Sequence, residues 1–286
     1  MSEKEVPQEL VAAILVSFIN SQPVLISQLY DFYDTETQIC QVLETLTQNW
    51  TENNVLNCKS VLTFQDIKNI IKDKPPFTGL LFKNIDKLSH SVQCELAEEL
   101  MHPHGELNAL LKTSVLVFSS ECPDNTIDPS LTRHIVLQET IGPSEDYTTL
   151  VELPSITVLN DTLLNQMRDA AKKIYIVPEL LGYMQDIIIF IRNNRFSRVG
   201  LNPNASLFLD QVTRSLCVLR GSKFATPMMI KDAARLVLPL QMRLSHYSEE
   251  PSLMYGGDMS VARVLRNEVN EVIILETLLK EIPVPR

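Results

Sequence analysis

The chain has no glycine before Gly79 and only 8 in 286 residues. A loop that cradles phosphates needs glycines. Its backbone N–H groups converge on the ligand, and a Cβ blocks both the φ > 0 conformation and the close approach. The N-terminal quarter therefore has no residue for such a loop. Gly-Lys-Ser/Thr is missing throughout, which removes the lysine for the β- and γ-phosphates and the hydroxyl for Mg²⁺. Cysteine is sparse as well. Cys40, Cys58, Cys94, Cys122 and Cys217 are odd in number and lack C-x-x-C spacing. That pattern argues against a disulfide framework or a zinc site and for reduced thiols. No long apolar run is present. Residues 10–19 come nearest, but they are too short to span a bilayer and include Ser17, so they read as a core helix. The charged start Met-Ser-Glu-Lys-Glu has no signal-peptide core. Positive charge is also in deficit. A net charge of −10 weighs against direct nucleic-acid binding, which relies on Lys and Arg to release counterions. These absences predict a cytoplasmic and/or nuclear protein without a membrane segment.

What is present is a sizeable core: 45% hydrophobic against 21% charged residues excludes general disorder. Apolar spacing predicts a helix over 7–20, a strand over 23–29, a helix through Ile39, Val42, Leu43 and Leu46, and strands over 55–63, 79–85, 113–120 and 133–139. A helix over 89–101, with Ser89 or Ser91 as N-cap, separates the third and fourth strands. Alternating strands and helices predict an α/β fold: a mainly parallel five-stranded sheet with helices on both faces. Residues 146–160 are rich in Pro, Ser, Thr and acidic side chains and read as a linker. Only helices follow. Expected starts are Asp161 as a cap, Pro178 at the first helical position, and Thr226 with Pro227. Gly221 closes one helix, Pro239 is expected to kink another, and a final helix is expected over 259–280. The predicted domains are thus an α/β core over 1–145, a helical domain over 161–245 and a tail over 246–286.

This succession resembles an AAA+ ATPase module of the MoxR and magnesium-chelatase type, with residues 178–244 similar to its helical lid. Arg195 ends a long helix there, Gly200 and Pro203 form a loop, and Leu-Arg-Gly precedes Thr-Pro. The segments PLQMRLSHYSEEPSLMYGGD and IILETLLKEIPVP resemble the fungal maintenance-of-telomere-capping family numbered two. The resemblance implies an ATP site, and each position can be checked. Walker A should follow the first strand, but Tyr30 and Asp31 stand there. Walker B should end in Asp-Glu, but Lys83 and Asn84 stand there. A lysine cannot bind Mg²⁺, and a cation about 4 Å from the metal costs on the order of 1–4 kcal/mol. Asp86 is a conceivable substitute. Ser119 and Ser120 fit sensor 1, Arg133 is weakly similar to an arginine finger, and Asn204 replaces the sensor 2 arginine.

No catalytic residue is therefore expected, and no cofactor. The resemblance implies a pseudo-ATPase acting through protein partners bound by the lid and tail, linked to telomere capping. The alternative is a divergent AAA+ subunit that binds ATP and Mg²⁺ and needs a partner for hydrolysis; an oligomer fits either. Arg192, Arg195 and Arg198 form a possible lid interaction patch, with Arg195 and Arg235 expected to pair with the acidic core. Leu253, Met254 and Tyr255 are candidate docking side chains. His102, His104 and Glu106 read as an ordinary turn, so no metal site is expected.

Overall fold

The computed structural model describes residues 8–28, 35–47, 50–51, 54–58, 63–72, 79–102, 105, 111–112, 114–120, 127–141, 159–197 and 200–285. The chain divides into two compact units, Met1–Lys173 with Ser215–Ser222, and Ile174–Arg214 with Lys223–Arg286.

The first unit is built on five parallel strands: β1 (Val24–Gln28), β2 (Val55–Asn57), β3 (Gly79–Lys83), β4 (Val115–Ser120) and β5 (Leu137–Ile141). Their order is β2-β3-β4-β1-β5. Val24 is in register with Val117 on one side and Leu137 on the other. Leu80, Leu81, Phe82 and Val115 to Phe118 are all buried, as expected of strands covered on both faces. Helices α1 (Gln8–Asn20), α2 (Thr35–Leu46), α3 (Phe64–Lys72), α4 (His90–Met101), the short α5 (Pro129–Thr132) and α6 (Asp161–Lys173) complete this unit.

Helix α1 is apolar almost all round and buried from Ala12 to Ile19. Its end is a Schellman turn: Ser21 takes φ 55°, Gln22 N–H donates to Ser17 O and Ser21 N–H to Phe18 O. Arg168 of α6 caps the same end. It donates to Phe18 O at 2.8 Å, Ile19 O at 3.2 Å, Ser21 Oγ at 2.7 Å and Lys112 O at 2.7 Å. A guanidinium thus satisfies carbonyls at the negative end of the helix dipole. These bonds tie α6 to the core unit. The compact-unit boundary falls at Lys173–Ile174, where sequence composition placed the lid's start at 161. Most of the expected linker, 146–158, lies outside the described residues.

The second unit contains α7 (Pro178–Arg192), most of α8 (Ala205–Leu219), α9 (Pro227–Gln241), α10 (Met259–Asn267) and α11 (Glu271–Glu281). Local signals set their ends. Pro178 opens α7, and Thr226 Oγ1 accepts from Met229 N–H to cap α9. Gly221, at φ 65°, closes α8, with Ser222 N–H donating to Cys217 O at 2.8 Å. Pro239 lies within the last turn of α9, and the helix continues past it to Gln241.

Several boundaries differ from the sequence reading. The second strand spans only Val55–Asn57. The fifth starts at Leu137, because Asp128 caps a helical turn that runs to Arg133. Asn160, rather than Asp161, caps α6 by accepting from Leu163 N–H at 2.8 Å. Ser89 holds the N-cap position of α4 with its hydroxyl against Ser91 Oγ at 3.2 Å and without a side-chain bond to a helix backbone N–H. The final helix is two, because Asn270 caps a new start by accepting from Ile273 N–H.

Candidate functional site

In a parallel α/β sheet, ligands collect beyond the carboxyl ends of the strands. Here that edge is formed by Lys83 ending β3 and Asn84 after it, and by Ser119 and Ser120 ending β4. The loop after β1, with Tyr30 and Asp31, lies outside the described residues.

Side chains of a strand alternate, so Gly79, Leu81 and Lys83 share one face of β3. That face meets α2, which runs back along it. At the lower end, a Cβ on Gly79 would come within 2.8 Å of Leu43 Cδ2. The chain's first glycine therefore serves close packing of helix on sheet. At the upper end, Lys83 Nζ forms an ion pair with Glu36 Oε2 in the first turn of α2. An AAA+ site would put the metal-binding carboxylate at the strand position and phosphates before the helix. In this chain the end of β3 carries an ammonium and the first turn of α2 a carboxylate. Both side chains are about one-third exposed, 27% and 34%.

Asn84 follows in the left-handed region, φ 58° and ψ 51°. Asparagine tolerates this better than other non-glycine residues. The residue is fully buried, and neither its amide nitrogen nor its amide oxygen finds a hydrogen-bond partner. Its turn carries the chain into a 3₁₀ segment, Ile85–Lys87. Asp86 sits there with its carboxylate 2.8 Å from Lys87 Nζ. Beside it, Cys58 is buried, and desolvation, reinforced by the Asp86 charge, pushes its thiol up to about 12.

Ser119 is buried, in register with Ile26 of β1, and Ser120 is in register with Ser27. Arg133 is exposed at the C-terminal cap of α5. His102 is exposed at the end of α4, while His104 and Glu106 lie outside the described residues.

In the second unit, Asn204 is exposed just before α8. Its N–H donates to Asn202 Oδ1 at 3.1 Å and its carbonyl accepts from Phe208 N–H. The Asn202-Pro203-Asn204 turn thus opens a helix. Arg192 is exposed, and Arg198 lies outside the described residues. Arg195 pairs with Glu250, whose side chain is 9% exposed. Arg235 makes a forked contact with Glu276, 2.6 and 3.1 Å, and reaches Asp232 at 3.2 Å. The expectation that Arg195 and Arg235 pair with the core is corrected: both hold residues of the C-terminal segment. The segment after 245 is therefore part of the lid's packing, with α11 against α7 and α9. Met254 and Tyr255 remain exposed, at 75% and 90%, while Leu253 is only half-exposed.

One grouping had a quiet signal. His90 and Cys94 are four residues apart on α4, and the fold adds Asp128. The i, i+4 spacing was legible, but the third member is 34 residues further on.

Comparison with known proteins agrees with this layout. Residues 189–255 match the family model described as AAA lid domain. A crystal structure described as "a putative ATPase" from Cytophaga hutchinsonii superposes with a TM-score of 0.68 at 12% identity, covering 98% of this chain and 91% of that one. The chain thus shares the fold of that structure, an α/β core followed in sequence by a helical region, and residues 189–255 of that region are similar to the AAA lid domain. It is also similar to proteins named Maintenance of telomere capping protein 2. The one from Lachancea thermotolerans is 26% identical over 120 residues, 40% of this chain and 42% of the relative. The one from Kluyveromyces lactis is 28% identical over 106 residues, 35% and 39% of the respective chains. The match thus spans about two-fifths of the length of these relatives. Among the described residues, no helix is long and apolar enough to cross a membrane.

Proposed function

We propose that this protein is a non-catalytic AAA+-like module that acts by binding other proteins. The observation that carries the reading is the Lys83–Glu36 pair at the strand edge. Hydrolysis of ATP needs a carboxylate-held Mg²⁺, a base or water-orienting group, and donors for the phosphates. Lys83 brings positive charge to the metal position, and Glu36 brings negative charge toward the phosphate side. Each would be repelled by the ion it should meet. Buried Asn84 offers no base, and Asn204 supplies no charge. Loss of all these together removes the electrostatic stabilisation on which phosphoryl transfer depends.

Binding is the remaining use of such a scaffold, since function rests on sites rather than on fold. The second unit presents Met254 and Tyr255, followed by Met259, Val261, Val264 and Leu265 of α10, all at least 38% exposed. We assign the partner surface to this stretch. Similarity to telomere-capping proteins favours a partner concerned with chromosome ends and a nuclear place of action.

Titration calorimetry with MgATP, paired with a phosphate-release assay, tests the first half. The expected result is neither saturable heat nor release above blank. Micromolar binding with phosphate release overturns it and favours a divergent ATPase. For the second half, Tyr255→Asp with Met254→Asp is expected to lose proteins that co-purify with the wild type. An unchanged set overturns the assignment.

A further inference from the structure

We propose that His90, Cys94 and Asp128 form a three-ligand site for a thiophilic divalent cation of the zinc class. His90 and Cys94 are one turn apart on α4 and present Nδ1 and Sγ to the same side, 3.9 Å from each other. Asp128, just before α5, brings Oδ2 to 2.5 Å from His90 Nδ1. All three donor atoms lie within 4.8 Å of one another. A tetrahedral zinc ion with bonds of about 2.0–2.3 Å needs its ligand atoms roughly 3–4 Å apart. Small side-chain rotations bring the three into that range, and His90, with its side chain 79% exposed, has room to make them.

The surroundings hold the ligands in place. Ser130 N–H donates to Asp128 Oδ1 at 2.7 Å, and its hydroxyl donates to the same oxygen. That fixes the carboxylate plane and turns Oδ2 toward the imidazole. Asp128 N–H donates to Gln93 Oε1 at 2.7 Å, and Gln93 Nε2 donates to Leu88 O at 3.0 Å. Gln93 is buried and lies between the two ligands of α4, so it locks Asp128 to that helix. Outer hydrogen bonds of this kind orient ligands in metal sites.

The donor set chooses the ion. One nitrogen, one sulfur and one oxygen suit Zn²⁺ or Co²⁺ and are poor for Mg²⁺ or Ca²⁺, which take oxygen ligands. Cys94 binds as thiolate and gives up its proton on binding. Three protein ligands with an exposed side leave the fourth position to water or to a partner's side chain.

Co²⁺ is the probe, added to the full chain under reducing conditions and read by its thiolate charge-transfer absorption. The expected result is one equivalent bound, with the band bleached by added Zn²⁺. His90→Gln and Cys94→Ser should abolish saturable binding while far-UV circular dichroism is retained. Cys40→Ser should leave binding intact, and Ser130→Ala should weaken it on the order of 10-fold. His90 is largely exposed, so His90→Gln reads the site without disturbing the fold. No band at excess Co²⁺, or a band that survives Cys94→Ser, overturns the proposal and leaves a His90–Asp128 ion pair.

Discussion

Replacing Arg235 with alanine should loosen the C-terminal segment from the lid. The side chain is 26% exposed and makes three contacts: two with Glu276 and one with Asp232, whose own side chain is 2% exposed. Hydrogen bonds to charged partners contribute about 1.5–3 kcal/mol each, and removing one member of a buried ion pair costs about 3–5 kcal/mol. Glu276 keeps 28% of its side chain in water, which recovers part of its hydration. The expected loss is therefore about 2–4 kcal/mol. Arg235→Lys should lose about half as much, because an ammonium cannot reproduce the fork. Urea unfolding followed by circular dichroism measures the change, and hydrogen exchange of Glu271–Glu281 localises it. A double-mutant cycle with Glu276→Ala should give a coupling of about 1–3 kcal/mol. The hydrogen bonds from Arg235 hold the Glu276 carboxyl below the usual carboxylate range. Its contribution is thus fully present above the ordinary carboxylate pKa and is lost as pH falls from there through the lower folded-state value. In Arg235→Ala this part of the acid sensitivity should vanish. A loss under about 0.5 kcal/mol with unchanged exchange in α11 would refute the reasoning.

Two further outcomes are expected. Arg168→Ala removes four donated hydrogen bonds, three of them at the end of α1 and one to Lys112 O, and should cost about 2–3 kcal/mol by thermal or urea unfolding; a change near zero would mean water replaces the guanidinium. The Cys58 thiol, raised to about 12 by burial, should resist maleimide at pH 8 and react once urea unfolds the chain; peptide mapping that finds native Cys58 labelled would contradict its burial.

Much of the architecture is legible in short stretches of chain. Pro178 sets a helix start through its fixed φ, and Thr226 and the Gly221 turn set helix ends through bonds to residues at most five positions away. Runs such as Leu80 to Phe82 announce a buried strand by themselves. Less local features misled the reading. The apolar run from Ile135 suggests a strand beginning near 133, but the Asp128 side chain, bonding two residues on, starts a helical turn there and the strand begins at Leu137. Net charge says only that acids are plentiful, not which acid is near, so it cannot place Glu250 beside Arg195 or Glu276 beside Arg235.

By itself, then, the sequence determined the alternation of strands and helices, the lid helices and the absence of a phosphate loop, since each depends on neighbouring residues or on composition. Tertiary structure alone decided that Lys83 meets Glu36 across 47 residues, that Arg235 meets Glu276 across 41, and that Asp128 joins His90 and Cys94. It also gave the first glycine its role, as the point where Leu43 of α2 packs too close for a Cβ. Such pairings depend on the register of strands and the faces of helices, and no local pattern encodes which distant side chain will complete them.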